Sequence, residues 1–259
     1  VKLGITSSLV MELSGKGLSI DELGVSLVEV YMDDLPLLVG TSVDWGLVRE
    51  ISSLGIQLTV HAPTHTGKFS ALDLGVKSGI NIKTVERVMQ IASSLDALKV
   101  VIHGGRIGKN YHRAYLNTKR QLEIIGSIAD DFGVPVMLEN LFGPSVGILP
   151  PELMSLLEPD MGICFDFGHA FLTAMELGIN MDEFLTLCPM IDHLHIHDNN
   201  GSRDDHLPPG KGLIGIKFVK KVIETARPST GILEVRNYSS LEEILRAIQV
   251  FENIPIAAR

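Results

Sequence analysis

Five short apolar runs in this chain end on, or carry close to their end, a residue that binds metal or moves protons. They are VVIH at His103, VMLE at Glu139, ICFD at Asp166, LHIH carrying His195, and GILE at Glu234. Short continuous apolar runs read as strands buried on both faces, the form parallel strands take when helices cover them. In an α/β barrel the C-terminal strand ends share one mouth, so polar residues placed there converge on one pocket. Successive tips are 36, 27, 29 and 39 residues apart, room for a helix and a return between strands. A sixth run, LTVH at His61, follows the same rule.

Strand-like and helix-like segments alternate eight times along the chain. The strands are expected near 3–6, 27–31, 56–61, 99–103, 134–139, 161–166, 191–197 and 231–236. Helical segments between them include 44–54, 82–95, 111–131, 214–226 and 241–251. Their apolar residues recur at three- and four-residue spacing, as in Val85, Val88, Met89, Ile91 and Ala92. Gly133 with Pro135, and Pro228 with Gly231, mark helix exits before the next strand. No linker, low-complexity stretch or strong internal repeat interrupts the pattern. Eight rounds in 259 residues predict an α/β fold, a (β/α)8 TIM barrel forming a single domain over residues 1–259.

Composition narrows the partners. No apolar run approaches the roughly 20 residues that a membrane helix needs, and no N-terminal stretch has signal-peptide flanks. Cys164 and Cys188 give no disulfide framework. A soluble, cytoplasmic protein without a membrane partner is expected. A formal charge of −9 weighs against a polyanionic partner, since phosphate binding needs clustered Lys and Arg. Divalent ions held by Glu139, Asp166, Asp204 and Glu234 would soften that argument, one ion giving −7 and three giving −3.

Strand alternation then selects faces. Glu139 shares the inward face with Met137, while Val136 and Leu138 turn toward the helices. By the same count Thr59 goes with His61, Val101 with His103, Cys164 with Asp166, and Ile232 with Glu234 and Arg236. His193, His195 and His197 share one face of the seventh strand, either as a structural ladder or as part of a site, just before DNNGSRDDHLPPGKG.

These residues resemble the xylose-isomerase-like barrels, a family that includes sugar isomerases, ketose epimerases and type IV apurinic endonucleases. The resemblance rests on HAPT from His61, HGG from His103, LEN around Glu139, FDFGHA around Asp166 and His169, HIHDNNG from His195, DDHLPPGKG from Asp204, and LEVR around Glu234. It spans nearly the whole chain. In the isomerase and epimerase branch it implies one catalytic metal held by Glu139, Asp166, His195 and Glu234. In the endonuclease branch it implies three zinc ions, with His61, His103, His169, Asp204 and His206 completing the ligand set.

The chemistry of the residues accommodates both. Two Glu, one Asp and one His make an oxygen-rich set for a hard or borderline ion such as Mn²⁺, Mg²⁺ or Co²⁺. Adding His61, His103, His169 and His206 creates nitrogen-rich positions that suit Zn²⁺. Four such polar groups left unpaired would make a costly core, which favours metal binding. Asp204 and His206 sit in a loop and read equally well as ligands or as organisers of a turn. Arg106, Arg203, Lys211 and Arg236, with His61 and His103, are candidates for holding substrate, the cations for an anionic one. Glu29, at the end of the second strand, is a further inward candidate, and His65 and His112 read as surface residues. The glycines of HGG and GKG read as turns, with no complete phosphate-binding motif.

The expected function is a metal-dependent isomerase or epimerase acting on a sugar, sugar phosphate or related polyol through an enediolate. One divalent ion is the leading expectation and three the upper bound. Glu139 and Glu234 would form the acid/base pair, with His169 polarising the carbonyl or placing a hydroxyl. The strongest competitor is phosphodiester hydrolysis at abasic DNA. Against it, Thr64 stands where the endonucleases usually carry an aromatic, HGGR replaces their usual turn, and their DNA-penetrating segments after the first two strands are missing. A barrel that binds metal and ligand without turnover is the third class.

Overall fold

The structure is a computed structural model and describes residues 1–252. Eight strands close a barrel: β1 (Lys2–Thr6), β2 (Leu27–Tyr31), β3 (Gln57–His61), β4 (Val100–His103), β5 (Val136–Glu139), β6 (Gly162–Asp166), β7 (Ile191–Ile196) and β8 (Thr230–Leu233). Each is parallel to its neighbours in sequence, and β8 pairs with β1 to complete the ring. The helices are α1 (Ser7–Gly15), α2 (Trp45–Ser52), α3 (Gly79–Ser94), α4 (Tyr111–Phe132), α5 (Pro150–Leu156), α6 (Phe167–Leu177), α7 (Ile216–Ala226) and α8 (Leu241–Glu252). Among the described residues no helix is long and apolar enough to cross a membrane.

The period-two pattern of the strands divides the core. Val136 and Leu138 of β5 join the large apolar layer between barrel and helices, while Val101, Met137 and Cys164 form a separate cluster inside the barrel. Register then sets the tips against one another. His103 lies opposite Glu139, and Asp166 opposite His195. At the other mouth, Lys99 spans the opening: its Nζ donates to the Asp192 carboxylate at 2.7 Å, the Asp192 carbonyl at 2.8 Å and Ser229 Oγ at 2.8 Å.

At the mouth, two strands end earlier than the sequence reading has them. β8 stops at Leu233 and β7 at Ile196, so Glu234, Arg236 and His197 lie just past the strand ends. The ladder runs one bond further, with Glu234 N donating to the Ile196 carbonyl at 3.1 Å. Helix α6 starts at Phe167 without any loop, because the Asp166 carboxylate caps it by accepting from His169 N at 2.7 Å.

Candidate metal centre

The C-terminal mouth holds a cavity of about 360 Å³. Glu139 lies at its centre. Its Oε2 is 3.2 Å from His61 Nε2, 3.1 Å from His103 Nε2 and 3.4 Å from His195 Nδ1, and its Oε1 is 3.1 Å from His169 Nδ1. His195 Nδ1 is also 3.4 Å from Glu234 Oε2 and 3.8 Å from Asp166 Oδ2. That nitrogen is fully buried and has no hydrogen-bond partner. Two ligand atoms each about 2.0–2.2 Å from one tetrahedral ion stand roughly 3.3–3.6 Å apart. The spacing of His195 Nδ1 from Glu139 and Glu234 fits a shared divalent ion, with Asp166 within a small adjustment.

A second group lies alongside. Asp204 Oδ1 and His197 Nδ1 are both buried without hydrogen-bond partners and stand 3.8 Å apart, while Asp204 Oδ2 is 2.8 Å from His206 Nε2 and 3.6 Å from His169 Nε2. A third consists of His61, His103 and Glu139. All nine residues named as possible ligands therefore meet in one cluster, seven of them lining the cavity and Asp166 and His195 buried behind it.

Hydrogen bonds to the main chain set which nitrogen carries the proton in three of the rings, with His169 Nδ1 also facing Glu139 Oε1. His61, His169 and His206 each place Nδ1 on a main-chain carbonyl, of Ala62 at 2.8 Å, Asn140 at 3.0 Å and Glu234 at 2.9 Å. A carbonyl has no proton to give, so Nδ1 carries it and Nε2 is turned to the pocket. The loop that brings in Asp204 and His206 is organised by Asp198. Its carboxylate accepts from Asn199 N, Gly210 N and Ile214 N at 2.9, 2.9 and 3.1 Å. Gly168 leaves room for His197, since a Cβ there would lie 1.9 Å from the ring.

Residues 19–254 match the family described as the xylose isomerase-like TIM barrel. This chain belongs to that family. An uncharacterized protein of Methanocaldococcus jannaschii is 27% identical over 262 residues, covering 95% of this chain and 100% of its own. A probable endonuclease 4 of Mycoplasmopsis pulmonis is 27% identical over 144 residues, 48% of this chain and 50% of that protein. Among solved structures, a D-tagatose 3-epimerase-like protein superimposes with a TM-score of 0.76 at 24% identity, covering 98% of this chain and 97% of that one. The IolI protein with a bound zinc atom gives 0.73 at 16% identity, covering 98% of each. At such identities these two structures speak for the fold.

In this xylose isomerase-like barrel, charge is concentrated at the centre. Burial pushes the Glu139 carboxyl up, but His103 and His195 beside it hold it well below the usual range. Asp166 is likewise lowered, by His169 and His197 against its burial. Burial disfavours charge on His169, yet Asp166 and Asp204 raise it well above an ordinary histidine. The centre thus pairs carboxylates with histidine protons, and a bound ion would take the place of those protons.

The remaining candidates separate by position. Arg106 lines the pocket, and its guanidinium makes no hydrogen bond or ion pair among the described residues. Arg236 also lines it and donates to Glu234 Oε1 at 2.8 Å. Arg203 and Lys211 do not face the pocket, contrary to their reading as substrate-binding residues. Arg203 is 84% exposed and turned back onto Asp205, and Lys211 pairs with Glu243 at 2.7 Å. Glu29 is a mid-strand residue of β2, fully buried below the centre, rather than a strand tip. His65 is exposed at the pocket lip, and His112 is exposed on α4. Thr64 is tied to Asp33, its Oγ1 donating at 2.6 Å.

Sequence reasoning left His197 undecided and passed over Tyr31, which stacks on His61 with ring centroids 4.4 Å apart. The alternation HLHIH carried a signal for His197. Nothing in the run LVEVY distinguished Tyr31 from a core aromatic.

Proposed function

We propose that this barrel is a divalent-metal-dependent isomerase or epimerase of a sugar, sugar phosphate or related polyol. The observation that carries this reading is His195 Nδ1, buried and unpartnered, with one oxygen of Glu139 and one of Glu234 each 3.4 Å away. Asp166 and His195 would complete the ligand set. The ion, when bound, would orient adjacent substrate oxygens and stabilise negative charge developing on them.

The residues supply the proton chemistry. One of the two glutamates removes the proton from the carbon beside the carbonyl, leaving an enediolate. The other returns a proton to the neighbouring carbon in an isomerase, the hydroxyl proton passing from one enediolate oxygen to the other, or to the opposite face of the same carbon in an epimerase. His169, with Nδ1 fixed on the Asn140 carbonyl, presents Nε2 to a substrate oxygen. The unpaired Arg106 guanidinium is suited to a phosphate or carboxylate on the substrate. The acids Asp33 and Asp34 at the lip favour hydroxyl-bearing ligands over a nucleic-acid backbone.

The test is turnover of candidate ketoses in heavy water. Deuterium should appear beside the carbonyl, and Glu139→Gln and Glu234→Gln should each slow exchange by about 10²-fold or more. Wild-type turnover in both variants would exclude the pair. A second reading, a zinc phosphodiesterase acting on abasic DNA, is favoured by the convergence of all nine candidate ligands. Incision of abasic duplex at catalytic concentration, lost in Glu139→Gln and His206→Ala, would put that reading first. Tight ligand binding without either reaction would make the barrel a binding protein.

A further inference from the structure

We infer that Glu29, on β2 and facing β7 across the barrel interior, is a positioning residue that fixes the ring of His195 for metal binding. The inference rests on the reading of His195 as a ligand. Glu29 is fully buried, yet three donors converge on it. His195 Nε2 lies 2.8 Å from Oε1, His193 Nε2 lies 2.9 Å from Oε2, and Thr59 Oγ1 donates to Oε2 at 2.8 Å.

Proton accounting then fixes both rings. The Glu29 carboxylate accepts only, so both Nε2 atoms carry protons. His193 Nδ1, 2.6 Å from Thr230 Oγ1, accepts from that hydroxyl. His195 Nδ1 is the one ring nitrogen of the network without a hydrogen-bond partner, and it faces Glu139, Asp166 and Glu234. The carboxylate therefore selects the tautomer whose lone pair points at the ion and makes that nitrogen a stronger donor. It also holds the ring against rotation, because His193 and Thr59 anchor the carboxylate from strands on either side of the barrel interior.

The experiment uses the full chain labelled with ¹⁵N-histidine, zinc as the probe, and a chelator competition that follows the site whose loading moves the His195 signals. In the zinc-loaded wild type, His195 is expected to hold a proton on Nε2 alone, its Nδ1 resonance having moved on zinc addition. Glu29→Gln, similar in shape, should weaken that site by about 10–100-fold and disturb the Nε2 proton signal. Thr59→Val, which removes a hydrogen bond from the same carboxylate but leaves its contact with His195, should change zinc affinity far less. A Glu29→Gln protein that binds zinc as tightly as the wild type, with the same tautomer, overturns the inference alone. Zinc binding that leaves the wild-type His195 signals unmoved overturns it together with the metal-centre reading. Should Glu29→Gln not fold, the wild-type spectrum still decides: a zinc-loaded His195 protonated on Nδ1 contradicts the assignment.

Discussion

Asp166 has two duties, and they can be separated. Its carboxylate caps α6 by accepting from His169 N at 2.7 Å, and it also faces His195 Nδ1 and His197 Nε2 at the centre. Asparagine caps a helix about as well as aspartate, so Asp166→Asn keeps the cap while removing the charge. The expected result is large metal loss by elemental analysis with the fold retained. Asp166→Ala should add a stability cost of about 1 kcal/mol for the lost cap. Full metal occupancy in Asp166→Asn would remove Asp166 from the ligand set. At this scale the tips of the strands were readable, because an apolar run closed by Glu, Asp or His names its own position. Glu29 was readable as an inward residue but its role was not, since the histidines that explain it, His193 and His195, lie more than 160 residues away in sequence.

Elements carry these tips unequally. Strand ends are rigid, but Asp204 and His206 arrive on a loop whose shape depends on the three N–H groups held by Asp198. Asp198→Ala should therefore weaken zinc binding at the Asp204–His206 position while sparing the Glu139–His195 position. It should also lower stability by about 1–3 kcal/mol through the stranded N–H groups. Stoichiometry by calorimetry together with urea unfolding checks both, and an unchanged metal count with unchanged stability would refute the role given to Asp198. The long helices α3 and α4 were legible from their apolar spacing. Helix α6 was obscured because its first turn, FGHA, is also part of the site motif, and α5 because seven residues are too few to display a period.

For the whole molecule, the two barrel mouths divide stability from chemistry. The tie from Lys99 to Asp192 and Ser229 closes the mouth opposite the metal centre, with the Lys99 side chain only 4% exposed. Lys99→Met is expected to cost about 1–3 kcal/mol, discounted toward the lower end because Asp192 is half exposed. Zinc affinity should stay unchanged. Burial raises the Asp192 carboxyl, but the bond and charge of Lys99 together with the Ser229 hydrogen bonds lower it below the ordinary value. The stabilisation is therefore complete above that ordinary value, about 4, and is lost as pH falls through the lowered one. Wild type and Lys99→Met should converge in stability on acidification; a gap that widens would contradict the pairing.

The barrel itself was legible because eight alternations of period two and period 3.6 leave few other closures. Substrate identity was less legible, because it depends on lip contacts such as Thr64 with Asp33 and on which rim cations are paired. Arg203 and Lys211 looked equivalent to Arg106 in sequence, yet carboxylates of Asp205 and Glu243 draw them away.

The most direct test is diffraction from zinc-soaked crystals recorded at the zinc absorption edge. The account predicts an anomalous peak with His195 Nδ1 and oxygens of Glu139, Asp166 and Glu234 each about 2.0–2.3 Å away. Zinc bound elsewhere, with His195 Nδ1 still unligated between those carboxylates, would contradict it.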